Sequence, residues 1–251
     1  MLASRNIQDQ IGQVKVHLSL VDSTNNYAAN LLKSGKAKSG TVILADEQTN
    51  GRGQRGEVWQ SEPGLNLQFS IIWIPENLSI SNQKYFNIAV SLGLVQFLEK
   101  KGIEAKIKWP NDILVKNKKI CGVLIENQIQ GVRISSSIIG IGLNVNQQEF
   151  ENFLATSMRN ELGQFLPTEQ VLDGLSHTLN SEFQKVNSTN IDLVEKRYYS
   201  YLLGYECAQK FKDDQGEFTG EILGVDANGN LQVVKNGIIH SYGIKELRFI
   251  L

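Results

Sequence analysis

A glycine-rich loop with two arginines is the first stretch of this 251-residue chain whose residue types suggest chemistry. It reads Gly51-Arg52-Gly53-Gln54-Arg55-Gly56-Glu57-Val58-Trp59. Glycines let backbone amides approach an anion closely, and guanidinium groups suit a carboxylate or a phosphate. A dinucleotide-binding loop would need a helix at the last glycine, which Pro63 and Gly64 prevent. The loop is therefore either an anion-binding segment or a surface turn with solvated arginines and a core tryptophan.

A second stretch, Lys108-Trp109-Pro110-Asn111-Asp112, places an amide and a carboxylate at the entrance to a predicted strand. Lys119 follows at the start of the next strand. Asp112 could help to hold a divalent cation beside phosphates, and Lys119 could neutralise a carboxylate or a phosphate. The alternative interpretation is an Asn-Asp turn followed by a solvated, lysine-rich hairpin tip.

Two more patterns suggest a ligand site. Alternate glycines in Ile139-Gly140-Ile141-Gly142-Leu143-Asn144 leave one face of a strand bare, which costs stability unless another group must approach the backbone. A flat ligand and tight packing against a helix both account for that pattern. The cluster Asp22-Ser23-Thr24-Asn25 is typical of a helix N-cap, and its hydroxyls could also bind a polar head group together with Gln48.

The composition argues against several functional classes. Lys and Arg total 25 and Asp and Glu total 26, so the net charge of −1 disfavours a broadly basic nucleic-acid binder. Apolar runs such as Ser70–Ile74 are far shorter than the roughly 20 residues of a membrane span, and Met1–Gln13 lacks the apolar core of a signal peptide. Cys121 and Cys207 are expected to be reduced thiols of a cytoplasmic protein. Signatures of serine hydrolases, zinc peptidases and P-loop enzymes are absent from the sequence.

Hydrophobic periodicity predicts the elements that must position these stretches. We expect strands at 14–21, 41–45, 65–74, 105–108, 112–115, 120–128 and 132–144, and helices at 26–33, 81–101, 170–186 and 191–202. After Gly204 short apolar runs alternate with Asn-Gly turns, which is typical of a small barrel of four or five strands. The sequence thus predicts a large α+β domain over 1–203 and a small β domain over 204–251.

Together, and in this order along the chain, these motifs resemble those of the biotin protein ligase family. The resemblance rests on Ser23-Thr24-Asn25, the arginine loop through Trp59, Lys108–Asp112, Lys119 with Gly122, and Gly140–Asn144. The segment from Gly220 to Phe249 resembles the C-terminal module of the family. The optional N-terminal DNA-binding domain of the family is not found, so we expect the monofunctional form, with no DNA and no membrane among its partners.

The resemblance implies a fold and an activity. The catalytic, biotin- and ATP-binding domain (1–203) would be a mixed sheet with helices, related to class II aminoacyl-tRNA synthetases, and an SH3-like β-barrel (204–251) would follow. Biotin and ATP, with Mg²⁺, would give biotinoyl-5′-AMP and pyrophosphate. A lysine of a biotin carboxyl carrier protein would then receive the biotinoyl group. The expected assembly is a monomer or a homodimer.

The resemblance also implies roles for individual residues. The catalytic groups would be Lys119, Arg52 and Asp112. The residues that bind biotin would be Ser23, Thr24, Asn25, Gln48, Arg52, Gly53, Gln54, Lys119, Gly122 and Gly140. The residues that border the nucleotide would be Arg55, Trp59, Asn111 and Asn144, and no metal ligand is assigned.

Two positions depart from the usual pattern of the family. Gln54 stands where arginine is frequent, and Glu57 stands where arginine or asparagine is usual. We expect Glu57 to point away from the phosphates, because a carboxylate beside them would weaken retention of the adenylate.

Two other functions stay open. A lipoate ligase or octanoyl transferase shares the catalytic fold, but the transferases need a nucleophilic cysteine, and nothing in the sequence pairs Cys121 with a base. A non-catalytic biotin-binding protein would bind biotin without exchanging pyrophosphate into ATP. Retention of Lys119, Asn111 and Asp112 together with the arginine loop argues against that second alternative.

Overall fold

A mixed β-sheet carries most of the stretches described above. The computed structural model describes residues 10–151, 154–188 and 191–251, without the side chains of Arg55 and of 186–188. Within these residues the sheet has the order β1-β2-β3-β8-β7-β6-β5, with β4 beside β8. β1 and β2 are parallel and the other neighbours are antiparallel. The strands are β1 (Lys15–Val21), β2 (Val42–Gln48), β3 (Leu67–Trp73), β4 (Leu78–Ser79), β5 (Lys106–Lys108), β6 (Asp112–Val115), β7 (Lys118–Gln130) and β8 (Arg133–Leu143).

Helices cover both faces of this sheet, because residues alternate in direction along each strand. Ile43, Ile72 and Ile138 pack with Ala28 of α1 on one face. Their sequence neighbours Val42, Ile71 and Ile139 belong to the larger core on the other face, with α2 and α4. The helices are α1 (Thr24–Lys33), α2 (Gln83–Lys100), α3 (Met158–Leu162), α4 (Thr168–Ser188) and α5 (Ile191–Tyr201).

A second sheet, entirely antiparallel, follows α5. Its order is β12-β11-β10-β9-β13 among the described residues. Its buried side chains, Phe211, Ile222 and Leu231 among them, belong to the same hydrophobic cluster as the core of the large sheet. The Trp109 indole N–H also donates to the Gly229 carbonyl oxygen at 3.1 Å. The strands are β9 (Ala208–Asp213), β10 (Gly216–Val225), β11 (Leu231–Lys235), β12 (Ile238–Tyr242) and β13 (Arg248–Ile250).

The predicted mixed sheet with helices is confirmed, and three local differences have physical reasons. β2 extends to Gln48 because its polar end pairs with β1, with Leu20 opposite Glu47. The helix predicted from Asn26 begins at Thr24. α3 and β4 were not expected, since five and two residues are too few to show a periodicity. None of the helices in the described ranges is long and apolar enough to cross a bilayer.

Candidate active site

A cavity of about 460 Å³, the main cavity, opens between the arginine loop, the large sheet and the end of the C-terminal sheet. The loop supplies Gly53, Gln54 and Trp59, and the segment from Ile244 to Phe249 closes the opposite side. The structure brings together thirteen of the predicted site residues on its lining: Ser23, Thr24, Asn25, Gln48, Arg52, Gly53, Gln54, Trp59, Asn111, Asp112, Lys119, Gly122 and Gly140.

A network of neutral polar side chains forms one end of the main cavity. Gln48 Oε1 accepts hydrogen bonds from the Thr24 amide at 2.7 Å and from the Thr24 hydroxyl at 3.1 Å. The Ser70 hydroxyl lies 2.7 Å from Thr24 Oγ1 and 2.6 Å from Asn25 Oδ1. Because Ser70 is on the central strand β3, these groups are held by the sheet and can match the donors and acceptors of a neutral, polar ligand.

The N-cap expected from Ser23 is only partly realised. Ser23 is the N-cap residue of α1 by position, but its side chain makes no capping hydrogen bond. Both Ser23 and Thr24 are buried. The Thr24 amide, a free donor of the first helical turn, is satisfied by Gln48 instead.

Arg52 is tied to the sheet by a carboxylate that the sequence did not indicate. Its Nη2 lies 2.8 Å from Oε1 of Glu126, and its Nη1 donates to Asn26 Oδ1 at 3.0 Å. Glu126 Oε2 also accepts from the Asn25 amide at 2.7 Å. The Arg52 side chain is 41% exposed, so the pair is a positioning contact and a weak source of stability. It holds one end of the loop against β7.

A lysine–carboxylate pair lies opposite the loop. Lys119 Nζ is 2.7 Å from Asp112 Oδ1, and Lys108 Nζ is 3.9 Å from Asp112 Oδ2. β6 and β7 bring these residues together, since Asp112 is paired with Gly122 in their register. Asn111, beside Asp112, donates its amide to the Val123 carbonyl oxygen at 2.6 Å, which fixes the turn that carries both.

Trp59 covers the alternate glycines. A Cβ atom at position 142 would overlap the indole, and one at position 122 would lie 3.1 Å from its Cζ3. Gly122 and Gly142 are paired across β7 and β8, so together they form a flat floor under the ring. Lys119 Nζ lies 5.6 Å from the ring centroid. The indole N–H is buried without a hydrogen-bond partner among the described residues, which leaves a donor for a ligand.

Packing against a helix, one of the two interpretations of these glycines, is found at Gly140, which meets Asn25 of α1, but not at Gly142. Gly142 lies under Trp59 of the arginine loop, and a Cβ at Gly140 would overlap the Asn25 amide, so side chains of the site itself occupy the bare face of the strand. A glycine is needed at both positions because anything larger would displace those groups.

Of the residues predicted to border the nucleotide, Asn144 lies outside this arrangement. Asn144 does not line the main cavity within the described structure. It is buried, and its amide donates to the carbonyl oxygens of Thr156 at 3.0 Å and Lys119 at 3.4 Å. Its observed contacts thus position the backbone of Lys119. The Arg55 side chain lies outside the described residues, so its predicted role stays a prediction.

Glu57 lines the main cavity on the side of the C-terminal sheet. Its side chain is 69% exposed, and Oε1 lies 3.9 Å from Lys245 Nζ. The expectation that it avoids the phosphates stays a prediction.

Cys121 has the properties of a core residue. It is fully buried, and this burial raises the pKa of its thiol far above the usual range. A neutral thiol is a poor nucleophile, so the structure gives no support for transferase chemistry at Cys121.

Comparison with known proteins places this fold and this site in a class of proteins. Residues 18–144, slightly more than half of the chain, match the model of the biotin/lipoate A/B protein ligase family. The bifunctional ligase/repressor BirA of Bacillus subtilis is 32% identical over 232 residues, which are 90% of this chain and 71% of that protein. The chain therefore belongs to the biotin/lipoate A/B protein ligase family.

Further relatives place the chain among the biotin ligases of this family. The biotin–[acetyl-CoA-carboxylase] ligase of Mycobacterium tuberculosis is 28% identical over 156 residues, 58% of this chain and 57% of that one. The structure of the biotin protein ligase from Aquifex aeolicus in complex with biotin and ATP superposes with a TM-score of 0.73 at 27% identity, covering 95% of this chain and 99% of that chain. The expected family and the expected class of enzyme, a biotin protein ligase, are confirmed.

Proposed function

We propose that this enzyme activates biotin with ATP to biotinoyl-5′-AMP and pyrophosphate, and then transfers the biotinoyl group to a lysine of a biotin carboxyl carrier protein. The observation that carries the proposal is the Lys119–Asp112 pair, 2.7 Å apart, in the same cavity as the Thr24–Gln48 network and Trp59. The names of the relatives, and the biotin and ATP in the Aquifex aeolicus structure, support the two substrates.

In the first half-reaction an oxygen of the biotin carboxylate attacks the α-phosphorus of ATP, and the bond to the pyrophosphate group breaks. Both reactants are anions, so their approach needs positive charge fixed in advance. Lys119 would lie between the carboxylate and the α-phosphate, held there by Asp112. Arg52, held by Glu126, would supply the second charge from the loop side.

In the second half-reaction a neutral lysine amine of the carrier attacks the carbonyl carbon of the mixed anhydride. The bond between the carbonyl carbon and the phosphate oxygen breaks, AMP leaves with that oxygen, and the attacking nitrogen releases one proton to solvent. We assign Asp112 to orient the acceptor amine, because it is the carboxylate on the cavity lining beside Lys119. When the Lys119 ammonium contacts the adenylate phosphate in place of Asp112, one carboxylate oxygen of Asp112 becomes free to contact the acceptor amine.

The ring system of biotin would lie at the neutral end. Its ureido group would exchange hydrogen bonds with Ser23, Thr24, Asn25 and Gln48, and the backbone of Arg52 and Gly53 would border it. Gly122 and Gly140 would leave room along the strands, and Gln54 would cover the ligand as the loop closes. Arg55, Trp59, Asn111 and Asn144 are proposed to border the nucleotide, Asn144 through the Lys119 backbone that it holds.

Mg²⁺ would enter with ATP. The described residues contain no group of three His, Cys, Asp or Glu side chains that could hold a metal ion. One carboxylate beside substrate phosphates is enough for Mg²⁺, and Asp112 is placed to supply it. When bound, the ion would neutralise phosphate charge.

The finer architecture belongs to the same proposal. We assign the catalytic domain, of the class II aminoacyl-tRNA synthetase type, to 1–203 and an SH3-like barrel to 204–251. The five short antiparallel strands β9 to β13 support the second assignment. We further propose a cytoplasmic enzyme, a monomer or homodimer, whose substrates include no DNA.

Biotin-dependent exchange of labelled pyrophosphate into ATP tests this function, with lipoate and octanoate as controls. Exchange with biotin alone is expected. Exchange with lipoate alone would instead assign the chain to lipoate ligation. Binding of biotin without exchange would identify a non-catalytic biotin-binding protein and would make Gln54 and Glu57 the first residues to restore to arginine.

A further inference from the structure

A second cavity of about 180 Å³ adjoins the main cavity. It lies between α2, α5 and the turn after β10, and Gln54 and Asn111 are the predicted site residues among its described lining. The two cavities share one wall, made of Gln54, Trp109, Pro110, Asn111, Val123 and Ile244. Asn111, the sequence neighbour of Asp112, lines both cavities, so the second cavity lies beside the segment that carries Asp112.

Two buried hydroxyl groups line this second cavity. Ser91 on α2 is 5% exposed and Tyr198 on α5 is 4% exposed. Neither oxygen is among the fully enclosed side-chain atoms that lack a partner in the described structure, so both hydroxyls can bond to whatever occupies the cavity. Two hydroxyls on different helices line one space and can exchange hydrogen bonds with a polar group that enters it.

The charge of the lining limits what that molecule can be. Among the described residues that line the second cavity, one is charged, Lys84. Its ammonium is already paired, since Nζ lies 2.7 Å from Glu195 Oε1. The other polar groups, such as Asn87 and Asn228, are neutral, and Ile88 and Ile125 give apolar walls. A neutral side chain with an apolar stem fits this lining, whereas an anion would meet Glu195 behind the lysine.

We propose that the second cavity binds a neutral side chain of the acceptor protein, close in sequence to the lysine that is modified. This inference rests on the function proposed above. In an extended segment, residues advance by about 3.3 Å each and alternate in direction, so side chains two positions apart lie about 7 Å from each other on one face. When the acceptor lysine enters the main cavity beside Asp112, a side chain two positions away in the acceptor would reach past the shared lining into the second cavity. There it would meet Ser91 and Tyr198.

The inference gives the C-terminal sheet a part in acceptor selection. Val225, Asn228 and Gly229 line the second cavity, and Gly229 is fixed by the hydrogen bond from Trp109. Residues of both sheets would therefore contact the same segment of the acceptor.

The test separates the two half-reactions. Asn87→Trp fills the cavity from its exposed rim, Tyr198→Phe removes one hydroxyl, and Lys100→Trp, exposed on the last turn of the same helix, is the matched control. Each variant is assayed for biotin-dependent pyrophosphate exchange, for biotinoyl transfer to hydroxylamine, and for transfer to a recombinant biotin carboxyl carrier domain. Thermal unfolding of each variant reports its folding.

We expect Asn87→Trp to raise the KM for the carrier domain at least about tenfold, and Tyr198→Phe to raise it by about two- to tenfold, the effect of one hydrogen bond. Pyrophosphate exchange, transfer to hydroxylamine and the KM values for ATP and biotin should match those of Lys100→Trp. An unchanged carrier KM in a folded Asn87→Trp variant would mean that the cavity holds only water, and a raised KM for ATP would assign it to the nucleotide. Either result overturns the inference, whereas failure of the parent enzyme in pyrophosphate exchange would overturn the proposed function itself.

Discussion

Lys119 combines a fixed position with partial exposure, which is what a cation that meets two anionic substrates requires. Asp112 holds its ammonium at 2.7 Å, and the side chain remains 34% exposed to the cavity. Lys119→Gln shortens the side chain by one bond, keeps a polar end group and removes the charge. Because electrostatic groups of this kind contribute about 10²- to 10³-fold to kcat, we expect kcat for biotin-dependent pyrophosphate exchange to fall at least about 100-fold.

Lys118→Gln provides the matched control for that measurement. Lys118 is the neighbouring residue on β7 and is exposed on the strand that carries Lys119. Its activity should stay within about twofold of the parent enzyme, because surface charges contribute little. Equal losses in the two variants would show that the charge of β7 as a whole matters, and not the Lys119–Asp112 pair.

Gly142 allows a second prediction about a single residue. Its φ is not in the left-handed region, so alanine is allowed by the backbone, but the added methyl would overlap the indole of Trp59. Gly142→Ala should therefore displace Trp59 and raise the KM for ATP and biotin about tenfold or more, with unfolding only slightly affected. Trp59→Phe in the same variant should restore part of the loss, since a smaller ring leaves room for the methyl. Absence of any effect on KM would exclude Trp59 from ligand binding in this position.

Sequence reasoning found the polar residues that stand in recognisable motifs and missed those that act through the fold. Glu126 and Ser70 lie inside strands, and no short motif surrounds them. Their importance comes from contacts across 74 residues to Arg52 and across 46 residues to Thr24. Such contacts depend on strand order and register, which a motif does not contain.

At the scale of the elements, one carboxylate links three strands of the C-terminal sheet, β9, β11 and β12, by hydrogen bonds. Asp213 at the end of β9 accepts hydrogen bonds from Lys235 Nζ at 2.7 Å and from the Tyr242 hydroxyl at 3.0 Å. The hydrogen bond from Lys235 lowers the pKa of Asp213, and the Tyr242 and Gln215 donors add to this. The pKa of Tyr242 is raised to about 12, first by desolvation and then by its hydrogen bond to the Asp213 carboxylate.

The sign of the resulting pH dependence follows from the lowered pKa of Asp213. The ionised form is favoured by folding, so its contribution to stability is present above the unfolded pKa of about 3.9 and is lost as the pH falls through the lower folded value. Asp213→Asn should therefore lower Tm at pH 7, and the difference from the parent should shrink below about pH 4. Asp214→Asn, exposed in the same turn, is the control and should show no such trend. A Tm difference that is constant with pH would mean that geometry, and not ionisation, is what Asp213 supplies.

Long elements with a clear period were predictable, and their ends were not. α2, predicted over 81–101 from the helical spacing of its apolar residues, is observed at Gln83–Lys100. The last three residues of β2, Asp46, Glu47 and Gln48, are all polar, and they are a strand only because β1 lies beside them. The pairing that creates the site's Gln48 is thus a tertiary effect, which explains why this residue was expected in a loop.

At the scale of the whole molecule, the predicted division at 203/204 remains a proposal, and the packing qualifies what that division means. Phe249 and Leu247 of the last segment share one hydrophobic cluster with Trp109 and Leu202 of the large part. The segment from Ile244 to Phe249 also lines the main cavity. The sequence shows one pattern before residue 204 and another after it, but the residues of both parts share one hydrophobic core and line one cavity.

The distribution of charge gives the last prediction. The chain carries −1 overall, yet the described side chains that line the main cavity include five cations, Arg52, Lys108, Lys119, Lys245 and Arg248, against the carboxylates of Glu57 and Asp112. A cavity of this kind attracts a polyanion over a distance set by the Debye length, which falls from about 10 Å at 0.1 M salt to about 3 Å at 1 M. ATP carries several negative charges and biotin carries one, so their affinities should respond differently to salt.

Steady-state pyrophosphate exchange between about 0.05 and 0.5 M KCl measures this difference. The KM for ATP should rise several-fold across that range, and the KM for biotin should rise much less, because screening acts on each substrate charge. Lys245→Gln should flatten the ATP dependence, since Lys245 is 46% exposed on the C-terminal side and its charge reaches the substrate through solvent. Parallel salt dependences for ATP and biotin would mean that the nucleotide is held by contacts inside the loop and the sheet, and that the C-terminal cations serve the acceptor protein instead.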